Sequence, residues 1–398
     1  MTGVRRRRLV ALWLALPVVL VAGIWLGGHP DSLPGPVRDT LVGKSDGAYY
    51  DEALDVIARD YYRKVDRDTL LDRSLSSVVS ELERRTGDRF SAYFGPREYG
   101  TLRSALSGRF EGVGMTVQEA EQGLRIVRVF PRSPAAKVGL ESGDVISAVN
   151  GRSLAGRTSQ QATALIKGKA GTSVTLRVKS GDRPARDVKV ERADVDVPVV
   201  ESRMEKAGGR KIGWVQLSSF TSGAHGEVAA AVRKRLRQGA KGIVLDLRDN
   251  GGGLLNEAVM TSSLFVSDGP IVSTKGRTRP RKVYQATGSP ISTTVPVAVL
   301  VNRRSASASE IVSAALQDKG RAKVVGETTY GKGVFQQVEP LSNGGALELT
   351  VGEFFTPKGR NLGGRGVPPD IKAVDKASTR DRDEALDAAL DVLAAGRT

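Results

Sequence analysis

Serine hydroxyls and a lysine amine are the groups from which this chain could build a reactive site. Residues 301–337, reading VNRRSASASEIVSAALQDKGRAKVVGETTYGKGVFQQ, place Ser305, Ser307 and Ser309 in a small-residue turn. An amphipathic helical pattern follows, then a short apolar run, then Gly331-Lys332-Gly333. The chain has no cysteine, which excludes a thiol nucleophile. Of its two histidines, His29 sits beside an N-terminal apolar segment and His225 follows Ser222-Gly223 in a loop-like setting, so a Ser-His-Asp triad would rest on His225 alone. Lysine can replace histidine as the base once its ammonium is desolvated, because burial disfavours the charged form and lowers the pKa from about 10.4.

Each of these residues also has a purely structural use. Ser307 with Glu310 three positions on fits a helix capping box. Lys332 between glycines suits a solvated loop, and Gln336 suits a polar strand position. The two uses of Ser307 are compatible. A nucleophile at a helix N-terminus gains from the dipole and from free N–H groups that would stabilise an oxyanion.

Taken together, SASASEIVSAALQD and RAKVVGETTYGKGVFQQ resemble the active-site signature of the carboxy-terminal processing peptidases, or tail-specific proteases, which are serine peptidases with a Ser-Lys dyad. The resemblance implies Ser307 as nucleophile, Lys332 as base and Gln336 as the residue that orients the lysine. It also covers Leu245-Asp246-Leu247-Arg248 running into Asp249-Asn250-Gly251-Gly252-Gly253, whose glycine N–H groups would form an oxyanion hole with the N–H of Ala308. Gly252 is the expected donor among the three. A phosphate cradle is disfavoured there, since neither the dinucleotide fingerprint nor the P-loop pattern fits.

Several elements must position these residues. Residues 108–178 carry Phe110-Glu111-Gly112-Val113-Gly114-Met115, Ser133-Pro134-Ala135-Ala136, Gly143-Asp144-Val145-Ile146 and Val149-Asn150-Gly151, an order similar to a bacterial PDZ domain. Glycines 112 and 114 would let the N–H groups of Val113, Gly114 and Met115 converge on a peptide's terminal carboxylate, with a strand edge beside them for β-augmentation. A helix at 158–166 would line the groove, ending at Lys167, where the family often has arginine. Apolar spacing predicts two or three helices over residues 48–86. Asp88-Arg89-Phe90-Ser91-Ala92-Tyr93 resembles a family segment that follows such helices, with Arg89 and Phe90 departing from it. Residues 261–295 read as a loop-rich excursion with one strand, 296–301 as a buried strand delivering Ser307, and 383–395 as a closing helix.

At the N-terminus, Arg5 to Arg8 precede an uncharged run over residues 9–28, long enough to span the ~30 Å hydrocarbon core of a bilayer. Basic residues before such a run keep that end in the cytoplasm. An uncleaved anchor is the expectation, with a cleaved signal peptide as its competitor. The net charge of +16 is partly that arginine block, and no nucleic-acid motif accompanies it.

The expected fold class is multidomain α/β: residues 1–30 a basic tip and anchor, 31–47 a linker, 48–107 a helical region, 108–190 a PDZ domain and 191–398 the peptidase core. By resemblance the core is a crotonase-like ββα arrangement. The expected protein is a serine endopeptidase on the outer side of a bacterial cell membrane, cleaving exported proteins with free C-terminal tails. No metal or organic cofactor is implied, and related peptidases use their N-terminal helices in homodimers. The competing reading is a non-catalytic or partner-activated PDZ adaptor of the cell envelope.

Overall fold

The run Val297–Val301 is too short for a globular helix and has no polar face, as a strand covered on both sides requires. In the computed structural model, which describes residue 23, residues 46–375, residue 379 and residues 382–396, it lies inside a six-stranded sheet. Except for residue 23, the expected anchor falls outside the described residues. Among the described residues no helix is long and apolar enough to cross a membrane.

That sheet runs in the order Val200–Ala207, Arg210–Leu217, Ile243–Asp246, Val297–Val301, Lys323–Gly326, Ile371–Lys372. Only the first pair is antiparallel. Alternation along each strand feeds two cores. Val297, Val299 and Val301 pack with Val228, Ala258 and Ile311, from the helices Ala224–Arg237, Leu255–Ser263 and Ala308–Asp318. Ala298 and Leu300 pack on the opposite face with Leu386, Ala389 and Leu390 of the closing helix Glu384–Ala394. Parallel strands linked through helices leave their C-terminal ends at one edge of the sheet, where the turns 249–253 and 302–307 emerge side by side. This is where open α/β sheets bind ligands.

A second sheet pairs Ala346–Phe355 with Ala92–Phe94, Val334–Pro340 and Pro270–Lys275, the last continuing into Lys282–Gln285. Residues 261–295 are therefore more regular than expected: the segment starts inside Leu255–Ser263 and then forms a hairpin. Its basic residues sit at the exposed hairpin end, while Ile271 and Val272 enter the core.

The PDZ-like segment forms strands Met115–Ala120, Gly123–Val129, Val145–Val149, Ser173–Lys179 and Arg186–Glu191, with the helix Ser159–Ile166 closing its own apolar core. A two-stranded ribbon, Arg109–Gly112 with Ala193–Asp196, joins its two ends.

The chain divides into two compact units, one ending at Leu82 and the other running from Glu83. In the first, the helix Asp46–Asp60 is tied to the start of Arg67–Thr86 by Arg67, which bonds Asp51 at 2.8 Å and Asp55 at 2.6 Å. The third helix of the expected helical region, Pro96–Ser107, belongs to the second unit.

Candidate active site

The strand Val297–Val301 turns abruptly into the helix Ala308–Asp318, and the N-cap of that helix is Ser307 with φ 55° and ψ −110°. A non-glycine residue there is strained by roughly 1–3 kcal/mol and persists only where its surroundings impose the conformation. The surroundings are identifiable. Ser305 Oγ donates to Leu247 O at 2.8 Å and Ser309 Oγ to Asn250 O at 2.8 Å, and both serines are fully buried. Of the three serines in the turn, only Ser307 faces the cleft, a cavity of about 670 Å³ at the strand ends. This separates one cleft-facing hydroxyl from two structural ones, as the sequence pattern alone does not.

Lys332 lines the same cavity, with Gln336, Glu348 and an apolar wall that includes Leu255, Met260, Ile311, Phe335 and Phe354. Its Nζ lies 4.6 Å from the centroid of the Phe90 ring. Burial holds the amine below the ordinary lysine pKa, against the pull of Glu348, Glu310 and Asp88, whose charges favour the ammonium. No hydrogen bond joins Lys332 Nζ to Ser307 in this structure. Rotation of the flexible four-carbon side chain is what would close the pair, and such contacts are often loose before substrate binds.

Glu310 fastens the two halves of the site. It is fully buried, and its Oε2 accepts from the Ser307 N–H at 2.8 Å and the Lys332 N–H at 2.9 Å. Its Oε1 accepts from Thr329 Oγ1 at 2.6 Å and the Gly331 N–H at 2.7 Å. Burial pushes its carboxyl upward against these four donors. The capping spacing read in the sequence marked this residue only as a cap. The structure makes it also the clamp between the Ser307 turn and the Lys332 loop.

Gln336 stands on the strand Val334–Pro340 and donates from Nε2 to Thr350 Oγ1 at 3.0 Å. Thr350 Oγ1 in turn donates to Asp88 Oδ1 at 3.0 Å. Fixing the amide nitrogen this way leaves Gln336 Oε1 as the end able to accept from the lysine. Asp88 also accepts from Ser91 Oγ at 2.6 Å and the Phe90 N–H at 3.0 Å. The Asp88–Ser91 segment is thereby held against the second sheet with the Phe90 ring under Lys332. The sequence showed this segment only as a resemblance.

In the glycine turn the N–H of Gly252, the donor expected for an oxyanion, donates to Asn250 Oδ1 at 2.9 Å in this structure. Gly252 is needed for space: its φ is +108°, and a Cβ there would lie 2.9 Å from both Ala306 O and Ser307 Cβ. Gly251 and Gly253 line the cavity with Ala308, and among the described residues none of their three N–H groups donates a hydrogen bond. Asn250, fully buried, holds the turn by donating to Leu217 O at 2.8 Å.

His225 does not build a triad. Its Nδ1 lies 2.8 Å from Glu257 Oε2, and Glu257 also accepts the N–H groups of Gly223 and His225, which caps the helix Ala224–Arg237.

In the PDZ-like unit the expected carboxylate loop is shaped by its carbonyls: Val113 O accepts from Ala135 N at 2.8 Å and Gly114 O from Phe130 N at 3.0 Å. Val113 is buried in the domain core and Met115 begins the strand Met115–Ala120. Thr158 caps the groove helix, and at the other end Lys167 Nζ lies 6.0 Å from the Phe110 ring, on the ribbon that leads back to the core.

A half-buried hydroxyl on a strained strand-to-helix turn, opening into a cleft in a chain that also carries a PDZ-like unit, fits a serine peptidase of α/β architecture. The model of peptidase family S41 matches residues 211–373, and that of the PDZ domain matches residues 125–180. The carboxy-terminal processing protease CtpA of Bacillus subtilis (strain 168) is 32% identical over 372 residues, covering 92% of this chain and 78% of that protein. A CtpA-like serine protease of Staphylococcus aureus (strain COL) is 34% identical over 318 residues, covering 79% of this chain, which spans 62% of that relative's length. Among solved structures, the photosystem II D1 C-terminal processing protease aligns with a TM-score of 0.51 at 28% identity, over 88% of this chain and 98% of that one. The chain belongs to peptidase family S41, as a serine-type carboxy-terminal processing peptidase with a PDZ domain.

Proposed function

We propose that this peptidase works by acyl transfer through Ser307 and Lys332 on protein tails that its PDZ domain receives. The observation that carries the reading is the selection of Ser307: its two neighbours are buried and bonded to carbonyls, while Ser307 shares the cleft with a lysine whose pKa burial depresses.

Neutral Lys332 accepts the Ser307 proton as Oγ attacks the scissile carbonyl. The developing oxyanion is received by the N–H of Ala308, at the positive end of the helix Ala308–Asp318, and by a second N–H from Gly251 or Gly253. The ammonium of Lys332 then protonates the leaving amine, and water, deprotonated in turn by Lys332, releases the acyl group. Gln336, anchored through Thr350, steers the lysine between these roles. Ser307→Ala is expected to abolish cleavage of a tail-bearing peptide and to preserve its binding. Loss of binding together with cleavage would move the defect away from the nucleophile.

The same reading places the catalytic part outside the cytoplasm, tethered by residues 9–28, with exported proteins as substrates. Membrane fractionation of the full chain, with protease accessibility from either side, tests it; a freely soluble full-length chain counts against it. The N-terminal unit exposes Tyr61 at 52% and Tyr62 at 75% in the bend between its two helices and Val78 at 66% on the second, which supports its use in a homodimer. Sedimentation of the chain with and without residues 46–82 distinguishes a dimer formed there from a monomer.

A further inference from the structure

Three carboxylates act on Lys332 from three different elements, and they are not equivalent. Glu310, on the helix Ala308–Asp318, accepts hydrogen bonds from four donors. Asp88, ahead of the strand Ala92–Phe94, accepts from Phe90 N, Ser91 Oγ and Thr350 Oγ1. Glu348, on the strand Ala346–Phe355, accepts none from any described residue, is half-buried, and lines the cleft with Ser307 and Lys332. Its register partners on the flanking strands, Ala92 and Val338, are uncharged. Arg89, beside Phe90 in the chain, is turned to Tyr330, with Nη2 3.4 Å from the hydroxyl. Fixed N–H and O–H dipoles attenuate the field of the carboxylate they hold. A carboxylate without them, in a partly dry wall, acts on the nearest cation with little compensation.

We propose that Glu348 is a positioning residue for the catalytic lysine: its carboxylate, which accepts no hydrogen bond from any described residue, faces Lys332 across the cleft and biases it toward the ammonium, and neutralising it favours the free base. The proposal rests on Lys332 being the general base. Burial and mutual attraction oppose one another in this pair: burial pushes the lysine down and the carboxyl up, and each charge pulls the other back. The sign follows directly. A negative Glu348 raises the proton affinity of Lys332, so Glu348→Gln lowers it, and at a fixed pH on the acid side more of the enzyme carries a free amine.

The test is the pH dependence of kcat/KM on a tail-bearing peptide for the full chain, Glu348→Gln and Glu348→Asp. Alongside it, the pH dependence of Lys332 labelling by an amine-specific reagent is read by mass spectrometry. In Glu348→Gln both the acid limb and the labelling midpoint are expected at lower pH, with a gain of about fivefold in kcat/KM below the original limb. Glu348→Asp, which keeps the charge, returns both toward their original positions. An unmoved limb and midpoint overturns the proposal, as does a uniform fall in rate with the limb in place, which is the mark of a merely structural role. Labelling needs no turnover, so it reads the lysine even if the catalytic assignment fails; that assignment is judged separately by whether Lys332→Met still cleaves.

Discussion

Glu310→Gln isolates the clamp between the nucleophile turn and the lysine loop. The carboxylate accepts four hydrogen bonds, at 2.8 and 2.9 Å on one oxygen and 2.6 and 2.7 Å on the other. Glutamine has the same shape but a single acceptor oxygen, so its NH₂ must face two of the four donors. If it faces Thr329, the hydroxyl can turn and one N–H is stranded; if it faces the other pair, the N–H groups of Ser307 and Lys332 are both stranded. A buried N–H left without a partner costs roughly 1–3 kcal/mol. The variant, taking the orientation that strands one N–H, should therefore lose about 1–3 kcal/mol, a large share of the 5–15 kcal/mol typical of a domain. Relaxation of the strained Ser307 would also misplace Oγ, and an error of about 1 Å costs on the order of 100-fold in rate. Urea unfolding and steady-state hydrolysis of a tail-bearing peptide measure the two effects. The expected result is a lower urea midpoint and a kcat reduced by about 100-fold, with KM nearly unchanged because the apolar cleft wall is untouched. A variant within ~0.5 kcal/mol and ~threefold of the parent would refute the clamp.

Lys332→Met should trade activity for stability. The lysine titrates below its unfolded value, so between the two pKa values the unfolded chain binds more protons and stability rises with pH. Below the folded pKa the cost of burying the charge is fully present. The methionine variant should thus resist urea better at neutral pH, with the advantage fading as pH approaches the ordinary lysine value of about 10.4, while hydrolysis falls by at least ~100-fold. Gly252→Ala should lose about 2 kcal/mol or more, read by thermal unfolding, and most of its activity, because its Cβ would meet Ala306 O and Ser307 Cβ at 2.9 Å in a backbone conformation of φ +108°.

Local patterns carried much of this architecture. The uninterrupted Val-Ala-Val-Leu-Val run announced a strand covered on both faces, and the serine turn with Glu310 announced the start of the following helix. The PDZ glycines and Gly-Asp-Val-Ile segment lay in a recognisable order. What stayed hidden depends on contacts remote in sequence. Glu348 occupies an ordinary alternating strand, and only the pairing of that strand with Ala92–Phe94 and Val334–Pro340 brings it to the cleft with Lys332. The state of Gly252 depends on where the Asn250 side chain turns, since Oδ1 takes the very N–H that the glycine motif suggested for an oxyanion. The hairpin within residues 261–295 was masked by its basic tip. Its buried half, Pro270–Lys275, is the one strand expected there; the second, Lys282–Gln285, becomes a strand only by pairing with it.

The central claim is that Ser307 carries the acyl group and Lys332 the proton. The most direct measurement is intact and peptide mass spectrometry of the parent, Ser307→Ala and Lys332→Met chains, each mixed with an unstructured protein bearing an apolar C-terminal tail and quenched in acid. The parent is predicted to shorten the protein from its tail and to show an acyl adduct on the peptide containing Ser307, while neither variant does so. Tail shortening by Ser307→Ala, or an adduct on any other residue, would contradict the account.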